Sequence, residues 1–226
     1  MNFISFVAGL VALALSAIQA PSGQQRFDYR VRADFFAGLA GDEARMQNAQ
    51  DLCERTLADN PKHPEALVWH GAILFARAGQ AFQKHDAATG SQLFGRGIKE
   101  MNDAVGLAPD NPGVLIPRAA VLLEGTRGMA PDMARPLLES AVANYEHVLD
   151  LQAPIWATLG DHAKGELLFG LADGSARLGR ADKARAYFQR LIDDAPTSGQ
   201  APRAKQWIET GTLPNVNGAS CVGCHR

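Results

Sequence analysis

Small and apolar residues recur at helical spacing through most of the chain, and the pattern repeats in phase. That recurrence constrains the fold more than any other feature. Residues 165–198 show it best. Leu168, Leu171, Ala172 and Ser175 lie three or four apart, as on one face of a helix. Gly179 breaks the run, and a second helix is predicted from about Asp182 to Asp193. Ala184, Phe188 and Leu191 share its face, and Pro196 ends the unit. One such helix pair cannot bury its apolar face alone, so copies must stack. Alternating runs that would mark strands are short, so the chain is predicted to be all-α.

The same phase is found upstream. Ala49, Cys53, Thr56, Leu57 and Pro61 match a second helix, and Leu67, Gly71 and Leu74 match the first helix of the next unit. Met101, Ala104, Val105 and Pro109 form another second helix, and Leu115, Ala119 and Leu122 another first. Ala141, Tyr145, Val148 and Leu149 complete that pair. With Ala172, Gly179, Ala184, Phe188 and Pro196, these positions resemble the tetratricopeptide (TPR) family, a helix–turn–helix repeat of about 34 residues. The first-helix Trp of that family is replaced by Leu168, and Trp69 lies near the usual Trp position without occupying it. The resemblance implies a solenoid of about four divergent repeats over residues 29–198, with a partner surface on its concave side. A last helix, Ala201 to about Glu209, carries Trp207 and is expected to cap the stack.

Extra residues interrupt the pattern at roughly 80–93, 124–134 and 153–164, where Gly, Pro, Asp or Thr favour loops. These stretches are either tolerated surface insertions or functional loops. Pro117 falls inside a predicted helix and implies a kink or a late start. Asp42 and Asp182 stand where helix caps are expected. Cys53, at an apolar helical position, reads as a buried core thiol.

The chemistry lies near the end of the sequence, in Cys221-Val222-Gly223-Cys224-His225. Cys-x-x-Cys-His is the attachment signature of c-type haem. Two thiols three positions apart can each bond a haem vinyl group, and the next imidazole then reaches the iron. Cys221 and Cys224 are therefore the expected thioether residues of one haem c, and His225 its expected iron ligand. A redox disulfide would be expected beside a βαβ pattern, which is not visible. A zinc site would need further ligands, and Cys53 is the only other cysteine.

Residues 3–18 carry no charge and are mostly apolar, and Ala20 precedes Pro21-Ser22-Gly23. This reads as a secretory signal peptide over residues 1–20, although no Lys or Arg precedes the apolar run. An uncleaved membrane anchor is the alternative. Residues 21–28 are then a linker, 29–210 the repeat domain and 211–226 a haem-bearing tail. Attachment of c-type haem follows export, so a periplasmic or otherwise exported protein is expected. A formal net charge of −2 with no basic run argues against nucleic acid as a partner.

Gly211, Pro214, Asn215, Asn217 and Gly218 make the tail a loop. It is expected to fold back and bury the apolar ring against the helices, with Trp207 as a neighbour or as core of the capping helix. Only Arg226 follows the motif, so a second axial ligand is expected from upstream, from a partner, or not at all. Upstream candidates are Met46, Met101, Met129, Met133, His63, His70, His85, His147 and His162, of which Met129, Met133, His85 and His162 lie in or beside the insertions. The tail also looks locally similar to cytochromes c-prime, which bear haem near the end of a four-helix bundle, but Pro214 and Gly218 disfavour the helix that family needs. No phosphate-binding loop and no nucleophile elbow is found. The expectation is an electron carrier or redox-docking protein rather than an enzyme. The alternatives are a scaffold with structural or sensory haem and an enzyme using an open haem position.

Overall fold

The computed structural model describes residues 26–213. Among the described residues there are nine α-helices and no strand, so the all-α class holds. The helices are α1 (Phe27–Leu39), α2 (Glu43–Asp59), α3 (Pro64–Gln83), α4 (Ala87–Leu107), α5 (Pro112–Gly125), α6 (Pro131–Gln152), α7 (Asp161–Arg177), α8 (Ala181–Asp194) and α9 (Ala201–Thr210). Short 3-10 turns at Thr126–Gly128 and Ala153–Thr158 follow α5 and α6.

Local chemistry sets many of the boundaries. Asp42, His63, Asp86 and Asn111 cap α2, α3, α4 and α5 by accepting from backbone N–H groups of the first turn. Pro64, Pro112 and Pro131 occupy opening positions, where a missing N–H costs nothing. Gly179 ends α7 at φ 76°, a left-handed conformation suited to glycine. Asp42 caps as expected. Asp182 instead sits inside the first turn of α8, whose N-cap is Arg180.

Consecutive helices are antiparallel. Gly71 of α3 meets Gly97 and Met101 of α4, while Phe82 near the end of α3 meets Gly90 near the start of α4. Alternate helices are parallel. Phe27 and Phe35 of α1 stack on His63 and Trp69 at the cap and inside of α3. Gly113 and Gly125 of α5 contact Glu65 and Phe75 of α3, and Arg177 of α7 bonds the Leu123 carbonyl of α5. Two layers result, with odd-numbered helices in one and even-numbered helices in the other.

The extra residues at 80–93 form no loop. Only Lys84, His85 and Asp86 lie outside helix, and the rest lengthen α3 and α4 to 20 and 21 residues. The glycine in that stretch serves packing: a Cβ on Gly90 would lie 2.6 Å from the Phe82 ring. At 124–134 and 153–164 the irregular segments are the two 3-10 turns with their flanking residues. Helix α5 begins at Pro112 and runs through buried Pro117, so the late start is not observed.

One apolar cluster extends from Phe27, Val31 and Phe35 through Ile73, Met101 and Leu122 to Leu171. A second joins Leu168, Phe188 and Leu191 to Trp207 of α9, whose ring lies 4.8 Å from that of Phe188. Trp207 is thus core of the last helix pair. Cys53 is fully buried in the larger cluster.

Candidate functional site

Cys221, Cys224 and His225 lie outside the described residues, as does the expected signal segment 1–20. The described chain reaches them through α9, which closes on Gly211 at φ 73° with its N–H donated to the Trp207 carbonyl at 2.8 Å. Helix α9 runs parallel to α7. Ser198, just before α9, touches Gly165 near the start of α7, and Arg203 lies over the Phe169 ring half-way along it. Helix α9 therefore ends on the side of the array where α3, α5 and α7 terminate, and after the turn at Gly211 the chain packs Leu213 against the Trp207 cluster.

The structure sorts the candidate axial ligands by access. Met46 and Met101 are fully buried, wedged against Gly38 and Gly71. His63 caps α3 through Nδ1, which accepts from the Ala66 N–H. His70 is buried, with Nδ1 2.5 Å from Glu100 Oε2 and Nε2 3.6 Å from Glu54 Oε1. His147 meets Asp110 at 2.7 Å, and His162 lies 3.5 Å from Glu166 one helical turn on. His85 occupies the α3–α4 turn at φ 60°, and Met133 is exposed on α6. Met129 is half-buried and lines a groove.

That groove is the main concave feature at the exit end of the array. It holds about 580 Å³, within the range of small-molecule sites. Its walls come from the C-terminal halves of α1, α3 and α5, the N-terminal half of α4 and the 3-10 turn after α5. Phe75 and Phe94 form the floor, with ring centroids 5.4 Å apart. Leu39 and Phe82 are large apolar side chains left 39% and 43% exposed on its walls. Arg127 stands at the rim, bonded to Glu124 at 2.8 Å and to Asp173 of α7 at 2.7 Å. Burial works against the Arg127 charge, but the bond to Glu124 and the charges of Asp173 and Glu124 outweigh it and hold its pKa above the ordinary value. Burial pushes the Asp173 carboxyl up against the pull of Arg127 and Arg177. This pair ties the groove rim to α7.

A second depression, of about 630 Å³, opens at the other end of α1 and α3. Arg26, Arg30 and Arg55 there face Asp59 and Glu65, a mixed-charge lining. Among the described residues no group of three or more His, Cys, Asp or Glu side chains could hold a metal ion. No described helix is long and apolar enough to cross a membrane.

The groove aromatics were not singled out in the sequence. Their signal is faint but present: Phe75, Gly79 and Phe82 fall at i, i+4 and i+7 of α3, on one face of the helix. Sequence could not show that α1 and the turn at Met129 complete the wall. No family model, curated protein or solved structure matches this chain.

Proposed function

We propose that this chain is an exported monohaem c-type protein, a TPR-like helical array that presents one covalent haem for single-electron transfer or for docking to a redox partner. The observation that carries the reading is the Cys221-x-x-Cys224-His225 spacing. The array of antiparallel helix pairs supports the TPR-like part, because each pair stacks on the next and alternate helices run parallel.

Each residue of the motif has a distinct task. Cys221 and Cys224 would hold the haem through thioethers to its two vinyl groups, each S–H hydrogen going to a vinyl carbon, so attachment would need reduced thiols and no oxidant. His225 would ligate the iron through an imidazole nitrogen. Bound haem supplies a centre that takes up and releases one electron. The array contributes rigidity, since a redox centre on a fixed body reorganises little between its two states, and the layered helices present partner surface.

The test is expression of the full chain with c-type maturation machinery, followed by a haem-stained denaturing gel and oxidised and reduced spectra. Haem that stays with the polypeptide after denaturation, and is lost in Cys221→Ser/Cys224→Ser, is the expected result. A folded helical protein without covalent haem overturns the reading.

A further inference from the structure

We propose that the groove between the C-terminal ends of α1, α3 and α5 is the seat of the haem carried on Cys221 and Cys224, and that Met129 supplies the second axial ligand; this rests on the haem reading above. Three observations converge. The first is the lining: a large, flat, apolar ring is best buried against aromatic and aliphatic side chains, and this groove has Phe75 and Phe94 beneath with Phe82 and Leu39 exposed at its sides. Large apolar side chains left this open in one concave patch mark a binding surface.

The second is chemistry. Of the Met and His residues in the described array, Met129 is the one on this lining, and a thioether is a haem-iron ligand.

The third is reach. Helix α9 ends on the side of the array where the groove lies, and the last described residue, Leu213, packs against the Trp207 cluster. From Leu213 to Cys221 there are eight residue steps, which extend to at most ~26–29 Å. Packed helices stand about 8–10 Å apart, so two steps, α9 to α7 to α5, bring the tail to the near wall within that length.

Gly79 provides a clean probe. It lies on the groove wall, and a Cβ there meets nothing within 4 Å, so the position is open at the groove. The haem-loaded full chain is compared as wild type, Gly79→Ala, Gly79→Trp, Met129→Ala and Met129→His, each checked for helix content by circular dichroism. Wild type and Gly79→Ala are expected to show low-spin ferric haem with the near-infrared sulfur-to-iron charge-transfer band. Met129→Ala should lose that band and bind added imidazole faster, and Met129→His should restore low-spin haem without the band. Gly79→Trp should keep its covalent haem yet lose the band by obstruction. Covalent haem whose spectrum and imidazole binding are unchanged in both Gly79→Trp and Met129→Ala overturns the groove assignment while leaving the haem reading intact. Absence of covalent haem from every variant and from wild type overturns both.

Discussion

His70 shows how a single side chain is absorbed by the fold. It is buried on α3, held 2.5 Å from Glu100 of α4, whose other oxygen takes Arg96 at 2.8 Å. Burial alone would raise the Glu100 carboxyl. The hydrogen bond and charge of His70, with those of Arg96, outweigh it and hold the pKa below the ordinary value. Folding therefore favours ionised Glu100. Its contribution is complete above the unfolded pKa of about 4.3 and is lost as pH falls through the lower folded value. Glu100→Gln should flatten the acid limb of a stability-versus-pH curve, measured by urea unfolding. Glu100→Ala strands a buried imidazole and should cost about 1–3 kcal/mol at neutral pH. Cys53 is governed by the same surroundings. Burial, reinforced by the charges of Glu54 and Glu100, pushes its thiol well above the ordinary range. In a Cys221→Ser/Cys224→Ser chain, a thiol reagent should label Cys53 only after denaturant is added. Rapid labelling of the native protein would show that this part of the core opens readily.

At the scale of the element, α4 is the instructive helix. Its four glycines, Gly90, Gly95, Gly97 and Gly106, would ordinarily each cost roughly 1 kcal/mol against Ala. Packing divides them into two kinds. A Cβ on Gly97 would sit 2.7 Å from the Gly71 oxygen and 2.9 Å from the Phe75 nitrogen, so α3 and α4 are pressed together there. Gly95 and Gly106 have nothing within 4 Å. Gly97→Ala is therefore expected to destabilise by about 1–3 kcal/mol through forced separation of the helices. Gly95→Ala is expected to stabilise by roughly 0.5–1 kcal/mol through backbone entropy. Chemical denaturation of the pair checks the argument, since a shift of the same sign in both would remove close approach as the reason for Gly97. Gly90 shows why 80–93 reads as a loop in sequence and folds as helix, since its missing Cβ makes room for the Phe82 ring of α3. Glycine count reports propensity, whereas the α3–α4 contact decides the outcome.

Among the described residues, two apolar clusters run from Phe27 to Trp207 and are built from the helices themselves. Folding of the array and attachment of haem should then be separable. Cys224→Ser is expected to weaken or abolish double attachment, read as a weaker haem stain on a denaturing gel, and to leave the far-ultraviolet spectrum of the helices largely unchanged. A large loss of helicity would mean that haem nucleates the array.

Much of the fold was legible because it is local. Helical periodicity, caps such as Asp42 and the breaker Gly179 act within a few residues, so the chain itself declares where helices begin and end. Asp182 stands two positions past the N-cap, Arg180, inside the first turn, where a carboxylate also favours a helix start. The proposed Cys-x-x-Cys-His site rests on sequence alone, since the chemistry proposed for it needs only contiguous residues. The tertiary structure alone decided what depends on distant segments meeting. His70 finds Glu100 thirty residues away, and Arg127 finds Asp173 forty-six away. The groove exists only because Leu39, Phe82 and Met129, on separate elements, end at one edge of the stack. Sequence spacing encodes a face of one helix, whereas a concave surface depends on the angle and offset at which several helices pack.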